Sequence, residues 1–361
     1  PARDIGSSSG WRTGVLISEH GTETGWQDAY GSSVALINGG IAINTSYVEI
    51  NGVTGSGKSG HGFKIHTKKS HGISNQGAHI KVSHIEIELG GMDMGTTYDG
   101  FYANTPMPAI DYYVGYLYIH DGSRDLITAV DKAENWVVEH NYLERSGDRK
   151  HPDNHGQTIM VYVGPTGSAQ NLTFRYNTIA DCNGTGAIVM LGGAKPGESG
   201  SSFKNIHVYG NTFFSTDKEA YMYSPGAVYA RDSTKAKSVF VYNNTFYNVR
   251  NPATFMNNDP ASGNLNKNNV YVNCYFQFPY LGVESSSNYY FNNTGQNVPK
   301  KEVGLQNGTA DPFVNAAAHD FRLKAATDGG SPLPQPYDKD PLDQVRGADG
   351  VWDRGAYEYK K

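Results

Sequence analysis

Along this chain, pairs of apolar residues at i and i+2 are followed by Asn at i+5 and another apolar residue at i+7. Four segments carry the pattern in full: Trp136, Val138, Asn141, Leu143; Leu172, Phe174, Asn177, Ile179; Ile206, Val208, Asn211, Phe213; and Val239, Val241, Asn244, Phe246. Looser copies begin at Val48, Ile80, Tyr112 and Val270, and successive starts are 32, 32, 24, 36, 34, 33 and 31 residues apart. Such a period is too regular for chance and too short for separate domains, so it marks one repeating unit. Alternation with period two on both sides of the Asn predicts two short strands whose apolar side chains share one inner face. The Asn marks a sharp bend, since Asn tolerates the left-handed backbone that such a bend needs.

A third strand is predicted in most repeats, at Asp125 to Val130, Gly156 to Val163, Gly186 to Leu191, Ala227 to Arg231 and Ala253 to Met256. Three strands per turn of a coil make a triangular prism with three parallel sheets, and each turn buries its apolar face only against its neighbours. Rungs stacked about 4.8 Å apart bring Asn141, Asn177, Asn211 and Asn244 into one line, where their amides can bond up and down as a ladder. The same stacking makes Phe174, Val208 and Val241 an interior apolar row. The ends of such a coil need covering. Asp320-Phe-Arg-Leu323 and Arg354-Gly-Ala-Tyr-Glu358, separated by a stretch rich in Pro, Gly and Asp, supply a closing device.

Composition agrees with a turn-rich β-protein: of 361 residues 43 are Gly and 25 Tyr, and only 18% are charged. The formal charge of −5 gives no global basic field, which argues against nucleic acid as a partner and requires any acidic ligand to meet a local basic cluster. The sequence has no apolar run of 18 residues, so no membrane span is expected. The start at Pro1 reads as that of a mature or trimmed chain. Cys182 and Cys274 lie close to three rungs apart, too far for a disulfide, and are expected to be free buried thiols.

The rung pattern resembles the right-handed parallel β-helix superfamily, which includes pectate lyases, alginate and chondroitin lyases, mannuronan epimerases and polygalacturonases. The ending, with Asp320-Phe-Arg-Leu323, Ser331-Pro332, Arg346-Gly347 and Asp353-Arg-Gly-Ala-Tyr-Glu358, is similar to the C-terminal segment of many secreted bacterial members. The likeness runs from about Val48 to Tyr359. It implies an all-β solenoid, export to the cell surface or beyond, and a polysaccharide held along the third-strand sheet. One fold of this kind hosts several chemistries.

On that expectation, the candidate site lies where side chains project from the third strands and the loops beside them. The insertion Glu144 to Gln157 carries Arg145, Arg149, Lys150, His151 and His155, a dense docking patch for an anionic sugar chain. Lys195 and Arg231 follow the third strands of the next two rungs. Uronate β-elimination needs a group that neutralises the C5 carboxylate and a base that removes the adjacent proton. A Lys with an Arg one rung later resembles the arrangement in chondroitin- and alginate-cleaving members. The paired Glu that precedes that Lys is missing here, which counts against the calcium site of those members; no cofactor is required and calcium stays open. His155 and Tyr162 are candidates for base and acid, with Gln157 and Asp232 beside them for substrate binding. Asp125, Asp131 and Asp232 are the acids that a glycoside hydrolase would use. Tyr221, Tyr223 and Tyr229 would stack on sugar faces or inside the coil. His61, His66, His71, His79 and His84 match no standard zinc spacing.

The expected organisation is one domain: rungs or a cap over 1–47, the coil over 48–319 and the closing segment over 320–361. The expected function is cleavage of an acidic, uronate-containing polysaccharide by β-elimination, by a monomer. The alternatives are a glycoside hydrolase or epimerase on the same fold, or a non-catalytic polysaccharide-binding surface protein.

Overall fold

The computed structural model describes residues 34–91, 97–104, 108–147, 156–165, 167–184, 186–192, 202–216, 226–230, 235–255, 260–279 and 282–360. Among these, three parallel sheets of nine, eleven and eight strands wind as a right-handed parallel β-helix. One rung runs from Lys132–Glu139 in sheet 1, through Tyr142–Ser146 in sheet 2, to Ile159–Val163 in sheet 3, and then into Ser168–Arg175 of the next rung.

The register is the one that the apolar spacing predicts. Trp136, Leu172, Ile206 and Val239 stack in sheet 1, as do Val138, Phe174, Val208 and Val241. All of these side chains are buried in one continuous core. At the corner between sheets 1 and 2 the amide of Asn141 donates to Asn177 Oδ1 at 2.9 Å, Asn177 to Asn211 at 2.9 Å, and Asn211 to Asn244 at 3.0 Å. The row continues through Asn269 and Asn288 and ends on the carboxylate of Glu302, which accepts the Asn288 backbone N–H at 2.8 Å. Each amide also donates to a sheet 1 carbonyl, as Asn177 does to Val138 O at 2.9 Å, so its polar atoms are satisfied inside the coil. Both cysteines are free and buried.

Two expectations need correcting. The left-handed backbone falls on the residue before each ladder Asn: His140, Tyr176, Gly210 and Asn243 have φ of 54°, 59°, 64° and 49°. The Asn is selected for its amide, and the turn's conformational demand is met by its neighbour. The copy placed at Val270 begins at Asn264, and one more follows at Val283. Asn264 and Asn266 occupy the inward sheet 1 positions, and Val270 lies in sheet 2 just after the ladder Asn269. Amides stand where apolar residues were sought. Asn264 Oδ1 accepts the Val239 N–H at 3.0 Å, and Asn266 Oδ1 accepts Asn269 Nδ2 and the Tyr271 hydroxyl, both at 2.8 Å.

The C-terminal residues lie along the side of the coil. Phe313–Asn315 pairs antiparallel with Asp320–Leu323, and Phe313, Phe321 and Leu323 pack on Phe214, Val270, Val272 and Tyr289, which face outward from sheet 2. Tyr337 packs on Tyr209 and Tyr242 of sheet 1. Between them Ser331 N–H donates to Asn268 Oδ1 at 2.9 Å, Trp352 Nε1 to Asn243 Oδ1 at 3.3 Å, and Arg354 Nε to Ser287 O at 2.7 Å. Arg346 and Glu358, both buried, meet at 3.4 Å. The motifs at 331–332, 346–347 and 353–358 thus hold a strap along the corner between sheets 1 and 2. No helix among the described residues is long and apolar enough to cross a membrane.

Candidate active site

The outer face of each sheet differs. Sheet 2 is covered by the strap over its C-terminal rungs and is charged over its N-terminal rungs. Sheet 3 faces outward with Ser74, Tyr102, Thr128, Met160 and Val189 in one row, and a column of polar side chains lies along its leading edge. Ile73, Phe101, Ile127 and Ile159 stack in register, so the residues two positions earlier, His71, Asp99, Asp125 and Gln157, form one column. Glycine allows the turn into this column to be tight: a β-carbon on Gly100 would lie 2.5 Å from the Leu126 carbonyl oxygen.

Within the column the two carboxyls are treated differently. Asp125 accepts the Gln157 backbone N–H at 2.7 Å on one oxygen and the Thr128 hydroxyl at 3.4 Å on the other. Asp99 is also fully buried, yet neither of its oxygens has a hydrogen-bond partner. Arg124 Nε lies 3.6 Å from Asp99 Oδ1 and 3.8 Å from Asp125 Oδ2, and the Arg124 side chain is 30% exposed. Burial pushes the Asp99 pKa up to about 7 against the pull of Arg124. Burial, then the Asp99 charge, pushes Asp125 up as well. Two stacked carboxyls facing one guanidinium cannot both stay ionised in a low-dielectric setting, so the pair holds a proton near neutrality.

His71 stacks on Tyr102 with ring centroids 4.2 Å apart and meets the edge of Tyr98 at 5.5 Å. Its Nδ1 accepts the Asp99 backbone N–H at 2.9 Å. Burial, then Arg124, lowers its pKa to about 4, so the ring is neutral and carries its proton on Nε2. Tyr102 projects outward from sheet 3, and burial, then Asp99, raises its pKa, which keeps the phenol protonated. The column and its surroundings therefore offer one part-exposed cation, a proton-sharing carboxyl pair, and two neutral donors.

Seven of the residues singled out from the sequence, Arg149, Lys150, His151, His155, Lys195, Arg231 and Asp232, lie outside the described residues, as do Tyr221 and Tyr223. Gln157 joins the acid column. Tyr162 faces outward on sheet 3 between Val130 and Leu191, half-buried. Tyr229 also faces outward there, 8% exposed. Asp131 follows the third strand that Asp125 precedes, so the two acids of that rung sit at opposite edges of sheet 3 and the close pairing runs across rungs instead.

Arg145 lies elsewhere, on the outer face of sheet 2, where its guanidinium pairs with Asp121 and Glu144. This second cluster includes Glu86, Glu88 and His120, whose ligand atoms lie within 4.8 Å of one another. It does not fit a metal ion as it stands. The Lys64 ammonium sits 2.6 Å from Glu86 and 2.5 Å from Glu88, and both ring nitrogens of His120 face carboxylates, Asp121 at 2.6 Å and Glu86 at 3.3 Å. The His120 contact, above all, holds Glu86 down to about 2. Charges here are balanced internally, which suits a structural network.

Asp99, Arg124 and Tyr102 escaped the sequence reading, and His71 was weighed there only against a zinc spacing. Their signal was present in His71-Gly-Ile73, Asp99-Gly-Phe101, Asp125-Leu-Ile127 and Gln157-Thr-Ile159, which align once the third strands are registered at their starts. No family model matches this sequence, and no curated protein matches it.

Proposed function

We propose that the protein is a lyase that holds an acidic, uronate-containing polysaccharide across the leading edge of sheet 3 and cleaves it by β-elimination, outside the cell. One observation carries this reading: a part-exposed arginine lies within 4 Å of two buried carboxyls stacked on consecutive rungs, one of them without a hydrogen bond. Arg124 pairs with the uronate carboxylate and so makes the C5 proton acidic. Asp99 takes that proton. A carboxyl with a pKa near 7 is about as strong a base as can remain ionised at neutral pH. Asp99 is covered, so the step requires the Arg124 side chain to shift towards the substrate carboxylate while still facing the Asp99 carboxylate. As the C4–C5 double bond forms, the Tyr102 phenol protonates the departing glycosidic oxygen. Asp125, held on both oxygens, keeps its neighbour in place.

A second reading, glycoside hydrolysis, is favoured by the same carboxyl pair. Consecutive rungs separate them by about 4.8 Å along the coil, close to the spacing of a retaining pair. A panel of uronate polymers decides. Elimination raises ultraviolet absorbance together with reducing ends, whereas hydrolysis raises reducing ends alone. A polymer that is retained by the protein and left uncut would defeat both readings and leave a binding protein.

A further inference from the structure

Four consecutive rungs of sheet 1 turn two successive side chains outward. Between the inward Ala133, Ala169, Phe203 and Ala236 and the inward Trp136, Leu172, Ile206 and Val239 stand Glu134-Asn135, Gln170-Asn171, Lys204-Asn205 and Lys237-Ser238. The second residue of each pair has left-handed backbone, with φ of 58°, 56°, 56° and 55°. The three Asn side chains form a row outside the coil. Asn205 Nδ2 donates to Asn171 Oδ1 at 2.8 Å, Asn171 to Asn135 at 3.0 Å, and Asn135 to Asp111 at 2.8 Å. His207 Nε2 donates to Asn205 Oδ1 at 2.8 Å, and His79 closes the other end on Asp111 at 2.8 Å. Every bond of the row points towards the Asp111 carboxylate, which fixes how each amide is turned. The row lies beyond the trailing edge of sheet 3, whereas Arg124 lies before its leading edge.

In the buried ladder Asn177 uses both amide hydrogens, on Asn211 and on Val138 O. The outer row uses one per amide among the described residues, so Asn135, Asn171 and Asn205 each keep a second N–H and a second oxygen lone pair. Asn135 and Asn171 are exposed and Asn205 is half-buried. A sugar hydroxyl both donates and accepts, and rungs advance about 4.8 Å, roughly the length of one sugar unit. Beside the amides, Lys204 and Lys237 stand in register, both exposed and neither paired with a carboxylate among the described residues. Like charges side by side on neighbouring strands repel, and an anion laid across them removes that cost. We infer that this corner is a second, non-catalytic surface for an acidic polysaccharide, with its hydroxyls on the Asn135, Asn171 and Asn205 amides and its carboxylates on Lys204 and Lys237. The inference rests on the substrate class proposed above and not on the elimination step.

Affinity electrophoresis in gels holding polygalacturonate or alginate measures retention, and poly-L-glutamate supplies negative charge without sugar hydroxyls. Cleavage is followed separately as kcat/KM on a short oligouronate. At least one uronate polymer should hold the wild type more strongly than polyglutamate does. Lys204→Gln together with Lys237→Gln should weaken that retention about tenfold. Asn171→Gly, which keeps the left-handed backbone and removes the amide, should weaken it about threefold. Neither change should alter kcat/KM on the short oligomer. If no polymer is cleaved but retention still falls in these variants, the lyase reading fails and this inference stands. Retention unmoved by the lysine pair or by Asn171→Gly overturns the inference, and leaves the lyase reading where cleavage persists. Equal retention by polyglutamate, or none of the wild type by either uronate polymer, also overturns it.

Discussion

Asp99 has a carboxyl stripped of water and given no hydrogen bond, with Arg124 at 3.6 Å as a nearby cation. Its pKa stands at about 7 against an ordinary 3.8. The folded chain therefore binds this proton more tightly than the unfolded chain does. The stabilisation is complete below about pH 4 and is lost as pH rises towards 7, because the unfolded state then releases a proton that the folded state still holds. Asp99→Asn removes the titrating group, so the variant should gain on the wild type as pH rises, by about 1–3 kcal/mol between pH 4.5 and 8. Thermal melts at the two pH values measure it, and a difference between variant and wild type that ignores pH would contradict the burial argument. Such a residue is hard to find in a sequence because nothing local distinguishes it: its neighbours His71 and Asp125 lie 28 and 26 residues away and meet it only through rung register. Gln157 was found because it closes a conspicuous cationic insertion. His140 and Tyr176 show the reverse case, where a visible signal, the Asn that follows each, was credited with a backbone conformation that belongs to its neighbour.

At the scale of the rung, burial is shared between apolar rows and the Asn ladder, and both were legible because each recurs at a fixed offset in sequence. The third strands were legible too, as short apolar runs that resolve into Ile127–Val130, Ile159–Val163, Gly186–Gly192, Gly226–Ala230 and Ala253–Phe255. The last rungs were not, because Asn264 and Asn266 replace apolar groups and the interval contracts. Val208 sits between Phe174 and Val241 and is wholly buried. Val208→Ala removes two methyl groups that its neighbours cannot fully replace, and should cost about 1–3 kcal/mol in chemical denaturation. A variant as stable as the parent would mean that this row does not carry the core.

Across the whole molecule, sheets 2 and 3 differ in what they carry outward. Sheet 2 is covered by the strap where its outward residues are apolar, and is closed by ion pairs where they are charged. The strap's own buried charges, Arg346 with Glu358, and Arg354 on Ser287 O, explain why its motifs read so clearly in sequence while saying nothing about chemistry. Sheet 3 keeps a polar edge and a part-exposed arginine. Of the residues singled out from the sequence, Tyr162 lies in sheet 3 and Gln157 just before it, whereas Arg145 belongs to the charged face of sheet 2. That division could not be read from a loop in which Arg145 and Gln157 are only 12 residues apart. The most direct measurement of the central claim is turnover by Arg124→Ala on the polymer that the wild type cleaves, with the thermal melt as a control for folding. Loss of the carboxylate's counter-ion should lower kcat/KM by about 10²–10³ while the fold survives. A folded variant that cleaves at the wild-type rate would contradict the assignment of this edge of sheet 3 as the active site.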